Sequence, residues 1–277
     1  MEKFSVLQSV YKNDNAVYLN DCFVSLYNST IKPVEIILVK DGPISDELNS
    51  VIDQWKSKLP LNIVGYNDNK GLACALNYGI KFIKTEYVAR MDSDDICFPN
   101  RFEKQLDFFS KNDHAEICGT GICEFYGNLD ETKNRKCRLY PEISETNSRS
   151  LFKGTPVAHP TVMMKTQLLK KYMYSENTKM NEDIELWFRI ITDGIKIYNL
   201  QEPLLYFRIT DGTFKRRSLK KAFNEYRIYV TNLYKLFGIS YLYIYPIARL
   251  LTRFLPSKII KNLYFSKARE RIFKNKG

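Results

Sequence analysis

Short apolar runs alternate with longer amphipathic segments through the first hundred residues, and this alternation restricts the fold more than any other feature. Four runs have the length of buried strands, and the three segments between them have helical periodicity. The runs are 4–10, 34–39, 61–66 and 87–91, and the helical segments are 15–29, 46–58 and 71–84. Repeated units of strand, helix and strand imply right-handed crossovers and parallel strands. The sequence therefore predicts an α/β fold built on a parallel sheet.

Polar residues follow each of the four predicted strands at its carboxyl end. The four loops are 11–14, 40–43, 67–71 and 92–95. In open α/β sheets, ligands bind just beyond the carboxyl ends of the strands. One such loop alone is most often an ordinary turn, because Asp, Asn and Gly favour turns. Four of them in succession indicate a binding site at one edge of the sheet.

Three carboxylates crowd the fourth of these loops, at Asp92, Asp94 and Asp95. Their charges repel one another unless a cation lies among them. Carboxylate oxygens favour Mg²⁺ or Mn²⁺, and such ions commonly share their coordination with substrate phosphates. A solvated acidic turn is the alternative for so short a motif. Its place directly after a predicted buried strand favours the metal site.

A second acidic pair, Glu182 and Asp183, begins a predicted helix with Asn181 as its N-cap. The apolar face of this helix consists of Ile184, Trp187, Phe188 and Ile191. The two acids could simply complement the helix dipole. Alternatively, a carboxylate held rigidly at a helix start could accept a proton from a substrate hydroxyl. We expect Trp187 to pack in the core behind Asp183, and stacking on the acceptor is the alternative.

Histidine and cysteine are too sparse and too scattered to form a zinc cluster. His159 is one of only two histidines, and it opens the run 159–164, which is predicted to be a strand. A lone histidine is more often structural than catalytic. The six cysteines show no paired C-x-x-C spacing, which predicts reduced thiols rather than a disulfide framework. The apolar run 4–10 is too short for a secretory signal, so we expect a cytoplasmic protein.

The basic excess of the chain lies entirely in its C-terminal tail, 215–277. This tail holds 16 Lys and Arg against two acidic residues, whereas the first 214 residues carry a net charge of −3. Pro246, Arg249 and Arg253 interrupt its most apolar stretch, which leaves no run of about 18 apolar residues to span a bilayer. The basic and aromatic composition instead predicts a helical segment on an anionic membrane surface. A solvated helical cap and a nucleic-acid contact are the alternatives.

Five segments, in chain order, resemble the signature of the family 2 glycosyltransferases: 9–14, 36–42, 69–77, 89–95 and 181–187. The chain looks most similar to the bacterial branch that builds O-antigen and exopolysaccharide units, in which the acidic motif reads D-x-D-D. The resemblance covers about the first 210 residues. It implies an α/β GT-A fold with a mixed central sheet. We expect a Rossmann-like nucleotide-sugar-binding half, an acceptor-binding half and a basic helical tail, at 1–105, 106–214 and 215–277.

The resemblance also implies a role for each candidate site residue. Asp183 matches the general base of the family, and Glu182 is expected to orient the acceptor. Asp94 matches a ligand of Mn²⁺ or Mg²⁺. The residues expected around the nucleotide, its diphosphate and the donor sugar are Tyr11, Asp14, Asp41, Lys70, Gly71, Arg90, Asp92, Asp95 and His159.

The implied reaction is an inverting transfer of a sugar from a nucleotide sugar, usually UDP-linked, to a hydroxyl. The expected acceptor is a lipid-diphosphate-linked saccharide used in surface polysaccharide synthesis. Negative charge develops on the departing diphosphate, which a divalent cation neutralises, and one carboxylate base suffices for a single displacement. Such an enzyme would lie on the inner face of the cell membrane and bind no nucleic acid. The alternative is a non-catalytic membrane- or nucleic-acid-binding protein on the same fold.

Overall fold

The structure, a computed structural model, describes residues 2–129, 135–145, 154–178, 181–210 and 219–254. The chain divides into one unit that ends at Ile209 and a second unit that begins at Thr210. The first unit combines a sheet with helices, and the described part of the second unit is helical. Both features agree with the predicted fold class.

Four parallel strands form one side of the sheet in the first unit. They are β1 (Phe4–Val10), β2 (Glu35–Asp41), β3 (Leu61–Tyr66) and β4 (Tyr87–Arg90), in the order β3-β2-β1-β4. The helices that connect them are α1 (Ala16–Tyr27), α2 (Asp46–Trp55) and α3 (Leu72–Ile80). The predicted alternation and the parallel pairing are confirmed.

Local capping interactions start the first two helices where the sequence predicts them. The Asn15 side-chain oxygen accepts hydrogen bonds from the N–H groups of Val17 and Tyr18, at 2.9 and 3.2 Å. Ser45 Oγ accepts one from the N–H of Leu48 at 3.3 Å. Each cap satisfies backbone donors that have no partner within the first turn of a helix.

The third helix ends earlier than its periodicity predicts. It stops at Ile80, because the N–H of Phe82 bonds the Gly79 carbonyl and the N–H of Ile83 bonds the Ile80 carbonyl, in tight turns. Ile83 remains buried, so the apolar periodicity of the sequence extends beyond the last residue of the helix. A Cβ at Gly79 would lie 2.5 Å from a β1 side chain and 2.7 Å from a β2 side chain. Gly79 thus lets α3 lie directly on the sheet.

Further strands extend the sheet beyond β4 and make it mixed, as predicted. They are β5 (Ile96–Cys97), β6 (Ile117–Tyr126), β7 (Lys136–Arg138), β8 (Ile143–Ser144), β9 (Met163–Lys165) and β10 (Ile197–Ile209). Their order after β4 is β9-β6-β10-β5, with β7 on β6 and β8 on β10. The other α-helices among the described residues of this unit are α4 (Arg101–Lys111), α5 (Thr166–Tyr172) and α6 (Glu182–Thr192). One continuous sheet therefore joins the two predicted halves.

The run that begins at His159 differs from its prediction as a strand. Residues His159–Thr161 form a 3-10 turn, and β9 begins only at Met163. Pro160 has no N–H to donate to a strand ladder. The Thr161 hydroxyl donates a hydrogen bond to the Ala158 carbonyl at 2.8 Å, which holds the turn closed. The strand prediction is therefore wrong for the first residues of the run.

Cys123 and Cys137 form a disulfide, so the prediction of reduced thiols is wrong for this pair. Cys123 of β6 lies directly opposite Cys137 of β7 in their antiparallel register. The two residues are 14 positions apart and form no recognisable motif, so their spacing alone did not indicate the bond. Cys22, Cys97 and Cys118 are buried free thiols.

The second unit consists of two helices and two short turns over its described residues. These are α7 (Leu219–Phe237), a 3-10 turn (Tyr241–Tyr243), α8 (Ile244–Leu251) and a second 3-10 turn (Thr252–Phe254). Nowhere in the described ranges does a helix combine the length and the apolar character needed to cross a membrane. Residues 215–218 and 255–277 of the predicted tail lie outside the described residues.

Candidate functional site

The loops that follow β1 and β4 meet beyond the carboxyl ends of these strands. Ser93 Oγ donates a hydrogen bond to Asp14 Oδ2 at 2.9 Å, and the N–H of Tyr11 donates to the same oxygen at 3.1 Å. Burial raises the pKa of Asp14 to about 7; these two hydrogen bonds oppose the change, while the charges of Asp94 and Asp92 add to it. The predicted convergence of these two loops is confirmed.

The loops that follow β2 and β3 are joined by the carboxylate of Asp41, which is buried. It accepts four hydrogen bonds of 2.8 to 3.0 Å, from the Tyr66 hydroxyl, the Asn69 side-chain amide and the backbone N–H groups of Lys70 and Gly71. The family resemblance places Asp41 near a uracil. In the structure, both of its carboxylate oxygens also hold the 69–71 loop in shape.

Two glycines in these loops have left-handed backbones, and one of them lies at a close approach of two backbones. Gly42 has a φ of 79°, and a Cβ there would lie 2.7 Å from the backbone nitrogen of Asn69. Gly71 has a φ of 92° and directly precedes α3. Side chains other than glycine rarely adopt these conformations. The Lys70 side chain is exposed beside this helix start, with Nζ 5.1 Å from the centre of the Tyr66 ring.

The carboxylates of residues 92–95, which we call the acidic loop, form a cluster. One oxygen from each of Asp92, Asp94 and Asp95 lies within 4.8 Å of the others. Asp95 Oδ2 is buried and has no hydrogen-bond partner within the described part of the chain. Burial raises the pKa of Asp95 well above its usual range, and the charges of Asp94 and Asp92 raise it further. A hard divalent cation would neutralise this crowding, so the residues fit Mg²⁺ or Mn²⁺.

Arg208, near the end of β10, holds the acidic loop in place through a fully buried side chain. Its backbone N–H donates to Asp95 Oδ1 at 2.9 Å, and its Nε donates to the Asp94 carbonyl at 2.8 Å. The two Nη atoms donate to the Gly127 carbonyl at 2.6 Å and to Asp21 Oδ2 at 2.8 Å. One side chain therefore ties the acidic loop to α1 and to the residue after β6.

Two aromatic rings fix the position of the Arg208 guanidinium. Its Cζ lies 4.0 Å from the ring centre of Tyr18 and 4.6 Å from that of Phe125. Sequence analysis missed Arg208, because its partner Asp95 is 113 positions away and no motif surrounds it. The signal that could have found it is a charged residue in the otherwise apolar run 203–209.

A buried polar cluster lies at the end of β4. Arg90 pairs with Asp92, while Nε and Nη1 of Arg90 have no hydrogen-bond partner among the described residues. His159 Nε2 and the Tyr174 hydroxyl are 2.8 Å apart. Burial lowers the pKa of His159 well below its usual range, and the charge of Arg90 lowers it further. His159 is therefore neutral at physiological pH, which suits a positioning group better than a proton donor.

Glu182 and Asp183 begin α6, with Asn181 at the N-cap position as predicted, although the Asn181 side chain makes no capping hydrogen bond. Glu182 is buried and Asp183 is partly exposed. Burial raises the pKa of Tyr174; the charge of Arg90 opposes this change, and the charges of Asp183, Glu182 and Asp92 add to it. Tyr174 is buried beside His159.

The predicted apolar face of α6 is buried throughout. Its members Ile184, Trp187, Phe188 and Ile191 are at most 9% exposed. The rings of Trp187 and His159 lie 5.9 Å apart, so the helix that carries Asp183 packs against the histidine that contacts Tyr174. Tyr174, in the segment after α5, is a second site residue that sequence analysis missed, since it belongs to no motif.

We expect Arg208→Lys to weaken metal binding by loosening the acidic loop. Lysine keeps the charge but loses the planar fork of donors and its stacking. The free energy of unfolding in urea should fall by about 2 to 4 kcal/mol. The Mn²⁺ concentration for half-maximal activity should rise on the order of tenfold or more, as for residues that orient metal ligands.

Arg189→Lys is the matched control for this experiment. Arg189 donates to the carbonyls of Tyr172 and Met173 at 2.6 and 2.7 Å and pairs with Glu185, and within the described residues no hydrogen bond or ion pair joins it to the acidic loop. It should lower stability without changing the Mn²⁺ requirement. An unchanged Mn²⁺ requirement in Arg208→Lys would contradict the positioning role.

Comparison with known proteins agrees with this geometry. A family model described as glycosyl transferase family 2 matches residues 5–173. The amylovoran biosynthesis glycosyltransferase AmsE of Erwinia amylovora is 34% identical over 264 residues, which cover 94% of this chain and 97% of that protein. An Escherichia coli protein, the UDP-Gal:alpha-D-GlcNAc-diphosphoundecaprenol beta-1,3-galactosyltransferase, is 33% identical over 267 residues, which cover 95% of each chain.

A solved structure supports the predicted GT-A fold. The mannosyltransferase PcManGT from Pyrobaculum calidifontis, in complex with GDP-Man and Mn²⁺, superimposes with a TM-score of 0.66 at 13% identity. The match covers 99% of this chain and 83% of that one. Because the family model spans more than half of the sequence and relatives above 30% identity span nearly all of it, the chain belongs to the family 2 glycosyltransferases, as its motifs predicted.

Proposed function

We propose that this protein moves a sugar from a UDP-sugar to a hydroxyl of a lipid-diphosphate-linked saccharide, with inversion, in surface polysaccharide synthesis. One observation carries the proposal. The acidic loop and α6, far apart in the sequence, are connected through the turn that contains His159. The N–H of Arg90, just before the acidic loop, bonds the Val162 carbonyl at 2.8 Å, and the His159 ring lies 5.9 Å from that of Trp187 in α6. A cation-binding group and a proton acceptor thus border the same part of the fold, as a glycosyl transfer requires.

The donor is assigned to the loops at the carboxyl ends of β1, β2 and β3. Asp41 shapes the 69–71 loop, and Gly71 precedes the start of α3. Helix N-termini favour phosphate groups, and the exposed Lys70 adds a positive charge there. Tyr11 and Asp14 form the neighbouring loop, which we assign to the nucleoside.

The diphosphate and the donor sugar are assigned to the acidic loop and its surroundings. A bound Mn²⁺ or Mg²⁺ supplies neutralisation of the charge that develops on the departing diphosphate. Asp94 is the proposed metal ligand, with Asp92 and Asp95 beside it. Arg90 pairs with Asp92 of this loop and has two buried donors without a partner among the described residues, and His159 supports this cluster as a neutral group.

Asp183 is the proposed general base. Its carboxylate takes the proton of the acceptor hydroxyl while that oxygen attacks the anomeric carbon and the bond to the diphosphate breaks. A single displacement of this kind inverts the configuration. Glu182, buried at the same helix start, orients the acceptor.

The acceptor class and the location are proposed from the relatives and the charge of the tail. The name of the Escherichia coli relative includes a diphosphoundecaprenol-linked GlcNAc. An acceptor of this chemistry is confined to a membrane. We therefore place the enzyme peripherally on the inner face of the cell membrane, where anionic lipids attract basic segments, with no nucleic-acid partner.

A nucleotide-sugar screen tests the proposed function. The full chain is incubated with Mn²⁺, a soluble short-chain GlcNAc diphosphate lipid, and in turn UDP-galactose, UDP-glucose, UDP-N-acetylglucosamine and GDP-mannose. We expect acceptor-dependent release of UDP from one UDP-sugar, and an inverted anomeric centre by NMR. Release of GDP alone would contradict the UDP assignment. No turnover with any donor would favour the non-catalytic alternative.

A further inference from the structure

Exposed apolar side chains are concentrated in the second unit. Nine of the sixteen large apolar side chains that are exposed in the described chain lie within 219–254. Five of these, which we call the apolar stripe, are 45% to 68% exposed and follow one another along α8 and its flanking turns: Tyr241, Ile244, Ile247, Leu251 and Phe254. Contiguous exposed apolar surface on a folded protein usually marks an interaction site.

The two faces of α8 differ in what they contact. Within α8, the stripe residues Ile244, Ile247 and Leu251 recur every three or four positions, which places them on one face of the helix, while Tyr241 and Phe254 lie in the flanking turns. The other face packs on α7. The rings of Tyr245 and Tyr229 are 5.4 Å apart, Pro246 is buried, and Arg249 pairs with Glu225. The apolar stripe is therefore the outer face of a packed helical pair.

The one positive charge of α8, on Arg249, is paired with a carboxylate of α7. Arg249 is the only charged residue of α8, and its Nε bonds the carboxylate of Glu225, which is 3% exposed. The segment 215–277 nevertheless carries a net charge of +14. The positive charge that could attract an anionic surface therefore lies elsewhere in the segment, and α8 presents an apolar face.

We infer that α8 lies in the plane of a lipid surface, with the apolar stripe inserted between the lipids. An amphipathic helix in a basic segment fits an anionic bilayer, whose headgroups complement its charge and whose acyl chains accept its apolar face. Tyr241 suits the headgroup level, where an aromatic ring with a polar tip is favoured. The inference rests on the proposed function, because that function has an acceptor confined to a membrane. Insertion is less sensitive to salt than attraction between charges, so part of the binding should persist at high salt.

A fluorescence measurement on the full chain locates the inserted face. Both native tryptophans, Trp55 and Trp187, are buried and give a constant background. Ile247→Trp places a reporter in the apolar stripe, and Thr231→Trp places one at an exposed polar position of α7. With vesicles of phosphatidylcholine, phosphatidylglycerol and brominated lipid, we expect quenching and a blue shift for Ile247→Trp only. Absence of quenching for Ile247→Trp, or equal quenching of both variants, would overturn the inference.

A second measurement removes the stripe instead of labelling it. The double variant Ile247→Gln, Leu251→Gln should lose on the order of tenfold or more in vesicle cosedimentation, at low and at high salt. The matched control is Val17→Gln, Val24→Gln, which removes two exposed apolar side chains from α1 and should sediment like the unchanged protein. Circular dichroism and thermal unfolding show whether each variant is folded. Equal losses in both double variants would overturn the assignment to α8.

The same variants separate a lipid surface from a second copy of the chain. Sedimentation velocity without lipid should give the same mass for the unchanged protein and for Ile247→Gln, Leu251→Gln. A dimer that this variant dissociates, with unchanged vesicle binding, would overturn the inference in favour of a protein interface. None of these three measurements contains a nucleotide sugar. Failure of the proposed function would therefore appear only in the donor screen.

Discussion

Asp183→Asn is expected to lower the rate of sugar transfer about 10²- to 10⁴-fold, the range typical for loss of a general base. The amide preserves the size and shape of the carboxylate at the start of α6 but does not accept a proton. Binding of UDP, measured by calorimetry, should be unchanged, because the nucleotide is assigned to loops of the parallel strands. The measurement is acceptor-dependent release of UDP under saturating donor.

Asp193→Asn is the matched control for the general base. It makes the same chemical change just after the last turn of α6, where Asp193 accepts a hydrogen bond from the Tyr172 hydroxyl at 2.6 Å. Its transfer rate should stay close to that of the unchanged protein. A fully active Asp183→Asn enzyme, or a product that retains the anomeric configuration, would contradict the mechanism.

Asp94→Ala and Asp95→Ala should each remove most of the activity, by about 10²-fold or more, because the bound cation contributes several kcal/mol of charge stabilisation. Removal of the metal with EDTA should inactivate the unchanged protein, and added Mn²⁺ should restore it. A ligand that binds only the folded state also raises the melting temperature. Mn²⁺ should therefore stabilise the unchanged protein and neither variant.

The metal-free proteins provide an independent check on the acidic loop. The pKa of Asp95 is raised by burial and by Asp94 and Asp92, so its charged form destabilises the metal-free fold at neutral pH. Asp95→Asn should thus match or exceed the melting temperature of the unchanged protein in EDTA, while losing the gain from Mn²⁺. Asp107→Ala, at an exposed position of α4, is the control. Activity that is indifferent to EDTA, together with active variants, would exclude the metal role.

Much of the first unit could be predicted because its signals are local. The caps at Asn15 and Ser45 act within one helical turn, and each strand from β1 to β4 is a single apolar run. Parallel strands that are joined by helices must end on the same side of the sheet. The four polar loops could therefore be assigned to one edge from the sequence alone.

The contacts that complete the site were not predictable in the same way. Arg208 bonds Asp95 across 113 positions of sequence, and the partners of Asp41 lie 25 to 30 positions away. The contact of Tyr174 with His159 depends on tertiary packing, because the turn at 159–161 leads into β9 and β9 pairs with β4. The disulfide of Cys123 and Cys137 depends on the register of β6 and β7. Spacing and composition contain no information on such registers.

The sequence alone determined the α/β class, the polar edge of the sheet, the acidic loop, the acidic start of α6 and the basic character of the tail. Each of these follows from residue types within one element, where side chains alternate with the known period of a strand or a helix. Only the tertiary structure decided which side chains hold these parts together, and which face of α8 is left exposed. Those outcomes depend on strand order, register and the pairing of Arg249 with Glu225, which are set by packing between elements that are distant in the chain.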